Sequence, residues 1–250
     1  MTEFVPHILR FDSLPSTNLE AARCAGEGAP EGLSVVAREQ TAGRGRLERQ
    51  WISPKDAGLY FSIILRPDFE QSHWPLLTLM AAVAVHEALL DSCALLTDIK
   101  WPNDLLANNK KLCGILAETV ETPQGRAVVV GIGINLTNYS FPTELDKVAT
   151  SVEAVAEQTP VLEAVLEALV GSFANYYQML QRSGGPDAIL REWSTRSSYA
   201  IGKRIRVENG EQIIEGTSRG LERDGALRVE TVGGKVKVLR TGDVTSLRAS

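Results

Sequence analysis

The longest helical apolar stretch of the chain, residues 74–90, constrains everything around it. Leu76, Leu79, Met80 and Val83 recur at helical spacing, so residues 72–93 read as a buried helix. Strand patterns stand on both sides. Residues 58–66 (G-L-Y-F-S-I-I-L-R), ended by Pro67, precede it, and strands over 112–120 and 126–136 follow. His86 and Glu87 interrupt the apolar run, so no segment is expected to span a membrane. This order of strands and helices predicts an α+β domain.

The remaining elements fill in around that helix. Residues 4–11 and the β-branched run 33–38 read as strands. Ser16 and Thr17 precede a helical stretch, with Glu20 three residues after Thr17 as in a capping box. Residues 39–56, rich in Gly, Arg and Gln, read as a long loop of the kind that carries function. Two short strands are predicted around 101–107, with a tight turn at Asn108-Asn109, where asparagine tolerates positive φ. Helices are predicted over 143–158, 160–182 (Pro160 in the first turn) and 186–195. Near residue 200 the texture changes to short β segments punctuated by Asn209-Gly210, Asp224-Gly225, Gly233-Gly234 and Gly242-Asp243. The division expected is 1–198 as one domain and 199–250 as a small β meander or barrel.

Charge and cysteine usage exclude several classes. With 26 Lys and Arg against 31 Asp and Glu, the net charge of −5 argues against a general polyanion binder. Cys24, Cys93 and Cys113 are widely spaced with no C-x-x-C, which reads as reduced thiols in a cytoplasmic protein. The N-terminus lacks the basic start and apolar run of a signal peptide. His7, His73 and His86 have no spacing suited to zinc or a Ser-His-Asp triad, and no protein-held metal site is predicted. G-x-x-x-x-G-K-[ST] and G-x-S-x-G are both missing.

Three constellations carry chemistry. In Gln40-Thr41-Ala42-Gly43-Arg44-Gly45-Arg46, followed by Trp51, glycines alternate with guanidinium forks that match phosphate or carboxylate oxygens. Taken alone, this is also what a solvated basic loop looks like. In Lys100-Trp101-Pro102-Asn103-Asp104-Leu105 and Lys111-Leu112-Cys113-Gly114-Ile115-Leu116, a hairpin would bring Asn103 and Asp104 near Lys111 across two strands. Val128 to Leu136 contains Gly131-Ile132-Gly133-Ile134-Asn135. It lacks the third glycine and the following helix of a dinucleotide fingerprint, so its glycines predict close approach of a backbone or a ligand.

In this order, the three constellations resemble the bacterial biotin–protein ligases, also called biotin–acetyl-CoA-carboxylase ligases. That family carries G-R-G-R-x-G-R-x-W (here 43–51), K-W-P-N-D-L (100–105), K-x-x-G-I-L (111–116) and G-x-G-I-N (131–135). It also has an S-T-N near the start, matched by Ser16-Thr17-Asn18, and an I-S-L-R-type ending, matched by Thr245 to Arg248. Glu48 departs from the pattern, standing where the family loop has glycine. The resemblance implies a mixed sheet flanked by helices, of the class II synthetase-like kind, with a small SH3-like C-terminal barrel. It implies an ATP-dependent, AMP-forming enzyme: biotin's carboxylate attacks the α-phosphate, and a carrier-domain lysine then attacks biotinyl-5′-AMP.

Residue by residue, the resemblance puts Ser16, Thr17, Gln40 and Arg44 at biotin's bicyclic head and adds Asn18, Gly43, Gly45 and Gly114 to the binding set. Lys111 is implied where carboxylate and α-phosphate meet, Arg46 at the adenylate phosphate, and Trp51 as a cover excluding water. Asn135 and Arg248 are implied on the nucleotide side. Asp104 is implied as a catalytic residue, orienting the incoming lysine or a Mg²⁺-bound ligand. Mg²⁺ is expected with ATP, held by few protein ligands. The partner implied is a biotin carboxyl carrier domain of acetyl-CoA carboxylase or a related carboxylase, and the chain is expected to be a monomer or homodimer. Ser16 follows Met1 too closely for the helix-turn-helix of the repressor members, so no DNA binding is expected. Three other readings stay open on the residues alone: a lipoate or octanoate ligase or transferase, with Cys113 as a covalent group; a non-catalytic biotin or nucleotide sensor; and a nucleic-acid binder.

Overall fold

The computed structural model describes residues 7–138, 145, 147–210 and 212–247. A seven-stranded sheet forms from β1 (His7–Phe11), β2 (Leu33–Ala37), β3 (Gly58–Leu65), β4 (Asp98–Lys100), β5 (Asp104–Ala107), β6 (Lys110–Thr122) and β7 (Gly125–Asn135), in the order β1-β2-β3-β7-β6-β5-β4. β1 and β2 are parallel and every other pairing is antiparallel, so the sheet is mixed. All eight residues of β3 are buried, because helices cover both faces.

One face carries α2 (Leu76–Cys93), against which α4 (Leu162–Gln181) and α5 (Gly185–Thr195) pack. By length and composition alone α2 would suit a membrane span, but 72% of it is buried inside the fold, as in a core helix. The other face carries α1 (Thr17–Gly26) over β3, β6 and β7. Ala21, Cys24 and Ala25 meet Val35, Ile64 and Val129 there. This helix covers only one end of its face, and the other end is left for a cavity.

A second, five-stranded antiparallel sheet contains β8 (Ile201–Asn209), β9 (Gln212–Leu221), β10 (Leu227–Thr231), β11 (Val236–Leu239) and β12 (Asp243–Ser246), in the order β11-β10-β9-β8-β12. β11 and β12 do not pair among the described residues, so the expected barrel is open there. Its Ile205, Val207, Leu227 and Val229 join the same apolar core as α2. The Trp101 indole donates to the Gly225 carbonyl (3.0 Å), fastening the two sheets together.

Four expectations need correction. The helix predicted over 143–158 is only α3 (Val152–Ala156) among the described residues. Upstream, a turn closed by Val148 N–H and Ala149 N–H on Leu145 O leads into a single parallel bridge to β6: Lys111 N–H donates to Val148 O (2.7 Å) and Thr150 N–H to Lys111 O (2.9 Å). These backbone bonds override helix propensity, and Ser151 then caps the short helix through Ala154 N–H. Pro160 lies just ahead of α4 rather than in its first turn. Trp101 sits in the turn between β4 and β5, not in a strand. No capping box forms at α1: Ser16 makes no side-chain cap, Gln40 Oε1 accepts the Thr17 N–H instead (2.8 Å), and Glu20 pairs with Arg23.

Candidate active site

Register explains where the cavity lies. Gly114 faces Gly133, Leu116 faces Gly131, and Ser62 of β3 also faces Gly131. With a period of two, these residues share the sheet face that α1 only half covers. The glycines keep this floor low for two side chains. A Cβ at Gly131 would lie 2.0 Å from Asn18 Oδ1, and one at Gly133 would lie 2.5 Å from the Trp51 indole nitrogen. Part of the close approach predicted for these glycines is made by side chains of this chain, and both glycines also line the cavity.

Above the floor is a cavity of about 520 Å³, within the range of small-molecule sites. Ser16, Thr17, Asn18, Gln40, Arg44, Gly45, Arg46, Trp51, Asp104, Lys111, Gly114 and Asn135, all predicted from sequence, line it together. Gly43 does not. A Cβ there would lie 2.3 Å from the Trp51 carbonyl, and its own carbonyl accepts the Trp51 N–H (2.9 Å), so it closes the base of the loop. Arg248 lies outside the described residues.

One end of the cavity is neutral and buried. Gln40 Oε1 accepts from Thr17 N–H, and Gln40 Nε2 donates to Ser53 Oγ (2.8 Å), which ties the 39–56 loop to the start of α1. Arg44 reaches Glu118 of β6 (2.7 Å) on the rim. The opposite end is charged. Asp104 Oδ1 lies 2.6 Å from Lys111 Nζ, and its other oxygen lies 3.1 Å from Lys100 Nζ. Burial opposes ionisation of Asp104, but the two ammonium groups outweigh it and hold the carboxyl below its ordinary range. The Lys111 ammonium also lies 5.4 Å from the centre of the Trp51 ring, within cation–π range.

Arg46 donates to Asn103 Oδ1 (3.0 Å) and to Thr241 Oγ1 (3.2 Å), bridging the loop, the first sheet and the approach to β12. Burial pulls its guanidinium below the usual value, opposed by Asp243 and Asp104; an arginine stays charged under such a shift. Arg49 pairs with Asp243. Leu47 and Glu48 have φ of 54° and 60°, the left-handed region. Glu48 thus adopts the conformation that a glycine at its position in the motif would take at little cost.

Sequence reasoning missed Ser62, Glu118, Tyr199, Asp243 and Val244, and reached the second sheet only through the ending at Thr245 to Arg248. Glu118 follows Gly114 and Leu116 at strand period on the cavity face, a signal that was available. Cys113 faces the other way, fully buried, and burial pushes its thiol well above the usual value. This removes it as a nucleophile.

The sequence model of the biotin/lipoate A/B protein ligase family matches residues 10–135 of this chain, and that of the biotin protein ligase C-terminal domain matches residues 200–245. The bifunctional ligase/repressor BirA of Bacillus subtilis is 39% identical over 246 residues, spanning 95% of this chain and 73% of that protein. The chain belongs to the biotin/lipoate A/B protein ligase family. Within that family it is similar to the biotin–[acetyl-CoA-carboxylase] ligase of Mycobacterium tuberculosis, at 35% identity over 93% of this chain and 86% of that one. The structure of the biotin protein ligase from Aquifex aeolicus in complex with biotin and ATP superposes with a TM-score of 0.84 at 27% identity, covering 98% of this chain and 100% of the other.

Proposed function

We propose that this chain activates biotin with ATP to biotinyl-5′-AMP and transfers the biotinyl group to a lysine of a carboxylase carrier domain. The observation that carries this reading is a single cavity with a neutral hydrogen-bonding end, a tryptophan above its floor and a cationic end formed by Arg46 and Lys111. A ureido head needs both donors and acceptors, which Ser16, Thr17, Asn18 and Gln40 supply. Biotin's carboxylate then points toward Lys111, whose ammonium stabilises the charge that develops as carboxylate and α-phosphate join. Arg46 holds the adenylate phosphate, and Trp51 excludes water from the mixed anhydride. Asp104 orients the Lys111 ammonium and then the incoming carrier amine. Gly45, Gly114 and Asn135 complete the walls. Residues 1–198 form the catalytic unit and residues 199–250 close it from one side.

Mg²⁺ accompanies the nucleotide. Among the described residues no three His, Cys, Asp or Glu side chains converge, and Asp104 already carries two lysines. On this reading ATP's own phosphates supply the ion's main ligands. The three cysteines are free and buried, in keeping with a reducing, cytoplasmic setting.

The test is ATP–pyrophosphate exchange with Mg²⁺ and biotin, lipoate or octanoate as the only added acid. Exchange dependent on biotin is expected. Exchange with lipoate instead would move the substrate to the other branch of the family, and exchange with no acid would overturn the enzymatic reading.

A further inference from the structure

At the charged end two ammonium groups share one carboxylate, and they are not equivalent. Lys100 stands directly opposite Asp104 in the β4–β5 pairing, with its Nζ 3.1 Å from one carboxylate oxygen. Lys111 reaches the other oxygen from β6, at 2.6 Å. β4 is an edge strand, but the segment after α5 pins it. Ile99 N–H donates to Arg196 O (3.1 Å), and the Ser197 hydroxyl donates to Ile99 O (2.6 Å). Ser198 grips the Asp98 carboxylate through its N–H (2.7 Å) and its hydroxyl (2.6 Å). Lys100 therefore rides on a strand held from both sides. It is also the more enclosed side chain, 21% exposed against 35% for Lys111.

Asp104 itself is nearly enclosed. It faces Lys100 from β4, Lys111 from β6, Arg46 from the glycine–arginine loop and the Tyr199 phenol from the segment before β8. Gly114, its partner on β6, adds no side chain, and the buried Cys113 thiol beside it is neutral. Burial favours the uncharged acid, and the two lysines oppose it. On the proposed reaction Lys111 and Arg46 turn to the carboxylate and phosphate of the ligand. Cations are then drawn away from Asp104 and an anion is brought near. Both changes favour a neutral carboxyl. Of the two ammonium groups bonded to Asp104, Lys100 alone then remains.

We infer that Lys100 is a positioning residue for the second half of the reaction: it keeps Asp104 an anion after Lys111 has left it, so that the carrier's ammonium finds a counter-ion beside the mixed anhydride. The inference rests on the reading of this cavity as an adenylating site whose acceptor is a carrier amine. It divides the two lysines by step. Lys111 serves activation, and Lys100, acting through Asp104, serves transfer. A carboxylic acid has no charge with which to hold an ammonium, so loss of Lys100 should show at the pH where Asp104 can take up a proton.

The experiment loads the full chain with biotin, ATP and Mg²⁺, isolates the adenylate complex, and follows single-turnover transfer to a purified biotin carboxyl carrier domain. Wild type and Lys100→Met are compared from about pH 6 to about pH 9, so that titration of the carrier amine cancels in their ratio. The wild type should be faster by about thirtyfold at the acid end, and the ratio should shrink toward one at the alkaline end, where Asp104 ionises unaided. Lys100→Arg, whose cation is permanent, should stay within about threefold of wild type throughout. Hydroxylamine attacks as a neutral amine and needs no counter-ion, so it should capture the adenylate from both proteins at similar rates. Lys100→Gln takes the place of Lys100→Met if the latter loses its thermal transition. A ratio that does not change with pH, or an equal loss toward hydroxylamine, would overturn the inference and leave the ligase reading standing. A wild type that forms no adenylate would take down both.

Discussion

Thr17, Asn18, Gln40 and Ser62, at one end of the cavity, are neutral and bonded to one another before any ligand arrives. Arg46, Lys100, Asp104 and Lys111, at the other end, are charged, and on the proposed reading the present partners of Arg46 and Lys111 give way to the oxygens of the ligand. Lys111 is held by Asp104 and Arg46 by Asn103 and Thr241. The first end is preorganised for recognition. The second must exchange partners for the reaction to run. Selection and chemistry are thus separated along one cavity, and substitutions at the two ends should fail differently.

The sharpest way to break that contrast is Lys111→Ala. It should slow adenylate formation by about 2–4 kcal/mol in barrier, the range for losing one preorganised charge stabiliser, while biotin binding without ATP changes much less. Single-turnover adenylation at the wild-type rate would remove Lys111 from the chemistry.

Next in size, Asp104→Asn should cost about 1–2 kcal/mol of stability, because two ammonium groups lose their counter-ion. Lys111 is 35% exposed, so the loss is smaller than for a sealed pair. The folded carboxyl titrates below its ordinary 3.8, so its contribution is complete above about pH 4 and disappears as the pH falls through the lower folded value. Urea unfolding should therefore separate wild type from Asp104→Asn at pH 7 and bring them together at strongly acidic pH. A constant difference across that range would contradict the ion-pair account.

Asp243→Ala, which frees Arg49, should cost under about 1 kcal/mol of stability, since the pair is exposed. It should raise the KM for ATP a few-fold and leave the KM for biotin alone. Equal changes in both would mean that the second sheet serves the whole cavity and not its charged end. The smallest effect belongs to Glu48→Gly. Release of a side chain from left-handed backbone, less the added freedom of the unfolded chain, should stabilise by about 0.5 kcal/mol, read as a small rise in Tm. A fall would mean that the Glu48 side chain makes an interaction worth more than its strain.

Much of this was legible in the sequence where function rests on local pattern. The glycine–arginine loop, the strand pairing that places Asp104 beside Lys111, and the two-glycine strand all came from residues close together in the chain. Strands and one apolar helix were readable as an α+β pattern, whereas the mixed sheet came only from the family resemblance. Three features were not legible, each for a physical reason. Residues 147–150 carry helix-tolerant sequence, yet the backbone of Lys111 takes Val148 O and Thr150 N–H as partners and holds Ala149 in a bridge instead of a helical turn. Arg46 meets Thr241 across 195 positions, and no spacing rule reports such a contact. Ser62 sits inside an apolar strand and reads there as a minor polar interruption, until its neighbours Thr17 and Asn18 are folded onto it.

The seat of Trp51 between Gly133, Gly114 and the Lys111 ammonium gives the molecule an optical gauge of its own. Of the four tryptophans, Trp51 lines the cavity, whereas Trp101 and Trp193 are sealed in the core and Trp74 packs beside α2. An indole excited-state dipole responds to a nearby cation, so an anion arriving at Lys111 should change the emission of that one ring. Filling of the charged end can then be followed in real time by intrinsic fluorescence in the unlabelled protein, with Trp51→Phe as the silent control.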